Sequence, residues 1–91
     1  MAVMDKDVLL EELRETCEHL GYSIRYEKGD FDGGHCILKE KRLLVVNKKF
    51  TIEKKIATVA AALAELGVDA IFVKPAVREL IDREREKKEN A

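Results

Sequence analysis

The apolar residues of this chain change their period twice, and that switch constrains the fold more than any other feature. Leu10, Leu13, Cys17 and Leu20 recur at helical spacing, with Leu9 broadening the stripe. The pattern predicts a helix from about Lys6 to Leu20, capped by Asp5 or Asp7 and stopped by Gly21. In Tyr22–Glu27 apolar and polar residues then alternate, which reads as a strand with one buried face. The glycine- and aspartate-rich stretch from Lys28 to Gly34 breaks it, and His35–Lys39 resumes extended structure. A charged turn, Lys39–Arg42, leads into Leu43–Val46, which is apolar on both sides and reads as the strand most deeply covered. Helical spacing returns at Ile52, Ile56, Val59, Leu63 and Leu66, with Thr51 as cap and Gly67 as stop.

The expected fold class is therefore α+β: a helix, a three-stranded antiparallel meander, a second helix and a C-terminal helix opened by Pro75. Ala70–Val73 is available as a short fourth strand. Val77, Leu80 and Ile81 anchor the last helix, and residues 82–91 are expected to continue as a solvated, fraying end. The chain of 91 residues makes one domain, with a stability on the order of 5–9 kcal/mol.

Composition bounds the setting. The longest nearly apolar run, Val59–Leu66, contains Glu65 and falls far short of the ~20 residues a membrane span needs. The acidic start has no apolar core of the kind a secretory leader carries. Cys17 and Cys36 show no framework spacing and read as free thiols of a reducing compartment, so a cytoplasmic location is expected. Net charge is −1 but is unevenly spread. Asp5, Asp7, Glu11, Glu12, Glu15, Glu18, Glu27, Asp30 and Asp32 crowd the first third. Lys39, Lys41, Arg42, Lys48, Lys49, Lys54 and Lys55 crowd the middle.

The search for chemistry is mostly exclusion. Cys17 and His19 are two apart on a helix, roughly 200° around its axis, and cannot share a metal. His35 and Cys36 are neighbours on a strand and point to opposite faces, so neither a metal pair nor a cysteine nucleophile activated by His35 is expected. No cofactor is expected. The most unusual segment is the loop with Asp30, Phe31 and Asp32, followed by His35 and Cys36. A small-ligand or enzymatic site would use these residues, although the glycines and aspartates also make an ordinary turn. The basic stretch from Lys39 to Lys55 is a candidate surface for phosphates, but the pI near 6.1 and the lack of a stacking or helix-turn-helix pattern argue against nucleic acid.

The span Phe31–Leu66 resembles, in its order of elements, the minimal zinc metallopeptidase domains of the ImmA/IrrE type. Leu43–Asn47 looks like the strand of that family, and Ala60–Glu65 takes the place of its Ala-His-Glu-Leu-Gly-His helix. Both histidine ligands and the glutamate base are absent, so the resemblance implies a fold without the activity. The whole chain is also similar to a family of small bacterial proteins, a likeness that implies no function.

The expected function is a non-catalytic interaction or regulatory module, with another protein as its partner. Two states of association are expected alternatives. One is a weak homodimer pairing acidic first helix with basic middle, its apolar part drawn from Leu43–Val46 or Ile37. The other is a monomer whose third helix covers the second face of the sheet.

Overall fold

A computed structural model describes residues 5–29 and 34–89, with side chains described through Lys87. The elements follow in the order α1 (Lys6–His19), β1 (Ser23–Glu27), β2 (His35–Leu38), β3 (Leu43–Asn47), α2 (Ile52–Leu66) and α3 (Pro75–Glu89). The helix ends follow from local chemistry. The Asp5 carboxylate accepts from the Asp7 N–H at 2.8 Å, and the Thr51 hydroxyl accepts from the Lys54 N–H at 3.2 Å. At the end of α1, Tyr22 N–H donates to the Cys17 carbonyl and Gly21 N–H to that of Glu18. That pairing needs the left-handed φ of +85° that Gly21 supplies.

The three strands form a mixed sheet in the order β1-β3-β2, which corrects the expected antiparallel meander. β1 runs parallel to β3, with Ile24 opposite Leu44 and Tyr26 opposite Val46. β2 runs antiparallel to β3, with Ile37 opposite Leu44 and Cys36 opposite Val45. The meander expectation assumed that successive strands are neighbours. β3, apolar on both sides, takes the centre instead, where burial is greatest. The long link between β1 and β2 can cross one intervening strand, a step of about 9.6 Å across two strand spacings. The four residues between β2 and β3 close a hairpin, with Arg42 at φ +50°.

Residues opposite one another in register share a face of the sheet. The rows Ile24–Leu44–Ile37 and Tyr26–Val46–His35 therefore face one way, and Ser23–Leu43–Leu38 and Arg25–Val45–Cys36 face the other. The first set meets the helices. Leu44 and Val46 join Leu13, Cys17, Ile56, Val59, Leu63, Val77 and Ile81 in one core. α1 and α2 lie against the sheet with their first turns linked by Lys6 and Glu53 at 2.7 Å. α3 packs chiefly against α2 and also touches α1. It does not cover the second face of the sheet, contrary to the expected monomer arrangement.

Residues 67–74 connect α2 to α3 without a strand, so the short fourth strand at Ala70–Val73 is not formed. Val68 and Val73 instead plug the corner between the helices, and Phe72 is 79% exposed. α3 runs to Glu89, continuing as the expected helical end, and the Glu84 side chain is only 17% exposed. No helix among the described residues is long and apolar enough to cross a membrane.

Candidate functional site

Asp30, Phe31 and Asp32, the loop part of the expected ligand site, lie outside the described residues. His35 and Cys36 open β2 and are sent to opposite faces by the pleat. His35 shares its row with Val46 under the helices, where its Nε2 lies 3.8 Å from a Glu65 oxygen. Its Nδ1 is buried and meets no hydrogen-bond partner among the described residues. Cys36 shares its row with Val45 on the far face and carries a free, half-buried thiol. The structure does not bring this pair together.

Beside His35 is a small cavity of about 150 Å³ lined by Lys54, Ala57, Thr58 and Ala61 of α2 and by Glu84 of α3. The four α2 residues recur at one helical stripe, and the two alanines leave the space. Glu84 is held by Lys87 at 3.0 Å, and the Lys54 ammonium lies 5.5 Å from the centre of the Phe50 ring. The volume is well below the roughly 300 Å³ at which pockets for small organic ligands begin. Cys17 is fully buried against the core, and loss of hydration pushes its thiol up to about 12. It is a packing residue and an inert thiol at neutral pH. No group of three or more His, Cys, Asp or Glu side chains among the described residues is placed to hold a metal.

The basic stretch of sequence is not one patch. Lys39, Lys41 and Arg42 sit in the turn that enters β3, with the Arg42 side chain against Gly21. Lys48 and Lys49 leave the other end of β3, and Lys54 and Lys55 lie in the first turn of α2. The length of β3, about 16 Å, separates the two groups. Among the described residues none of the seven makes an ion pair. Lys55 covers the Tyr26 ring at 4.9 Å.

Three of the α1 acids are paired within the chain. Arg14 binds both Glu11 and Glu18, and its hydrogen bonds hold the Glu11 carboxyl below the usual carboxylate range. Lys74 reaches Glu12 at 3.0 Å. Asp7 and Glu15 make no ion pair among the described residues.

The second face of the sheet, which the sequence offered through Leu43–Val46 or Ile37, is made by other residues than Ile37. Cys36, Leu38, Leu43 and Val45 form its apolar centre, with Arg25 and Glu27 along β1. No helix or strand among the described residues lies across it. Val45 is 5% exposed and Leu38 36%. Ile37, expected to lie at such a surface, instead points into the core beside Leu44, and Leu38 takes the outward position. Next to Leu38 a shallow groove of about 420 Å³ runs along Ile37–Lys41. The available signal was the two-sided apolar character of Leu43–Val46, but which side would stay bare depended on strand order. No protein family, curated protein or solved structure matches the chain.

Proposed function

We propose that the protein is a non-catalytic interaction module that docks another protein through the far side of its sheet. One observation carries this reading: α1 and α2 lie on one face of the sheet with α3 packed on them, while the opposite face carries exposed Leu38 and half-buried Cys36 and Leu43 around buried Val45, with no element of the described chain across it. Apolar surface gathered at one place and rimmed by charge is the usual form of a docking site. The cavity beside His35 supports small-molecule chemistry less well, being small and lined by charges of both signs. The two free thiols support a reducing, cytoplasmic setting.

The test is site-specific photo-crosslinking in the native cell. A photoreactive side chain at Leu38 is expected to yield a discrete adduct of defined mass. The same group at Arg83, on the exposed side of α3, is expected to yield none. Equal labelling from both positions, or none from Leu38, would count against the docking reading.

A further inference from the structure

The hydrogen-bonding register fixes which backbone groups of the sheet edges are left free. Ser23 N–H donates to the Arg42 carbonyl and Lys48 N–H to the Glu27 carbonyl, so Arg42, Leu44, Val46 and Lys48 direct their backbone toward β1. Leu43 and Val45 then direct theirs toward β2, where they face Leu38 and Cys36. His35 and Ile37 are left with N–H and C=O groups on the outer edge of β2. Among the described residues nothing bonds to those of Ile37. This is an open template for another strand. Beside it lie the Ile37–Lys41 groove and the outward Leu38.

Charge selects the occupant. Lys39 and Lys41 stand at the end of β2 without ion-pair partners among the described residues, against the single carboxylate of Glu40, while Arg42 turns toward Gly21 on the β1 side. The β1 edge offers no such bias, since Arg25 and Glu27 balance each other at 3.9 Å and Lys55 already covers Tyr26. We infer that β2 receives an extended acidic segment of the partner protein, which adds as a fourth strand with its backbone on Ile37, an apolar side chain in the groove and carboxylates at Lys39 and Lys41. Main-chain bonds supply affinity in such additions, and alternate side chains supply specificity. This rests on the docking reading above and names the partner's chemistry.

The probes are two short synthetic peptides with valine alternating with glutamate in one and with lysine in the other. Each is titrated into the full chain while backbone amide signals and amide exchange are followed. The glutamate peptide is expected to bind at least tenfold more tightly than the lysine peptide and to slow exchange at Ile37. The double variant K39E/K41E, altered only at exposed turn positions, is expected to reverse that preference while keeping the free protein's amide spectrum outside the turn. Salt at 1 M, where the screening length falls to ~3 Å, is expected to weaken the glutamate complex. Equal affinity for both peptides, protection at Ile24 and Tyr26 in place of Ile37, or no binding of either up to about 1 mM would overturn the strand inference. So would a dimer of the free chain that protects Ile37 by itself. Crosslinking from Leu38 alongside any of these results leaves the docking reading standing and removes only the acidic strand. Peptide binding at β2 without crosslinking in the cell does the reverse.

Discussion

Gly34 lies flat against the ring of Phe50: a Cβ on Gly34 would fall 2.1 Å from the Phe50 Cζ. The contact joins the start of β2 to the approach to α2, and Gly34 holds it at φ +83°. Any side chain at 34 meets both the ring and the left-handed backbone penalty of about 1–2 kcal/mol.

Gly34→Ala is expected to destabilise the protein by about 2–3 kcal/mol, the backbone penalty plus displacement of the ring. Phe50→Ala in the same background should recover only the steric part. Urea denaturation of the two single variants and the double variant measures this as a non-additive cycle. Full additivity would show that the ring does not press on position 34.

The two thiols should differ sharply in reactivity. Cys36 on the far face should react with a thiol reagent in the native state, and Cys17 only as the chain unfolds. Burial raises the Cys17 thiol in the folded state, so its contribution to stability is complete below the unfolded value near 9 and declines as pH rises toward about 12. Thermal melts of wild type and Cys17→Ala across that range should show the wild type losing its advantage as pH increases. A constant difference would contradict the burial assignment.

Of two ion pairs that link distant parts of the chain, one matters more. Lys6 and Glu53 are both well exposed and should contribute little. Glu12 is 15% exposed, and one of its oxygens is buried without a hydrogen-bond partner among the described residues, leaving Lys74 as its charge partner there. Lys74→Met should therefore lower the melting temperature more than Lys6→Met. The reverse order, or equal effects, would show that Glu12 is adequately hydrated.

Leu63 and Phe72 test the connection between α2 and α3. Leu63 is fully buried, and Leu63→Ala should cost about 2–5 kcal/mol. Phe72 points to solvent, and Phe72→Ser should change stability by no more than about 0.5 kcal/mol. A large loss at Phe72 would mean that its segment is packed, as a fourth strand would have required.

The local pattern of residues determined the helices and where they stop. Asp5, Gly21, Thr51, Gly67 and Pro75 act on their own neighbours through capping, backbone freedom and a missing N–H, so their effects are written in short stretches of chain. The same holds for the existence of three strands, because alternation at Tyr22–Glu27 and the apolar run at Leu43–Val46 are local signals. Strand order was decided elsewhere. β3 lies between β1 and β2 because the most apolar strand gains most from two neighbours, a comparison among segments that no single segment encodes. That order placed Ile37 inside and Leu38 outside, while the basic residues lie at opposite ends of β3 because they flank it in the chain. The third helix lies on α2 because Val77 and Ile81 complete the core there, and so no element of the described residues lies across the far side of the sheet. The partners that pair three of the α1 acids, Arg14 one turn away and Lys74 on a distant segment, are brought into place by helix periodicity and by packing respectively.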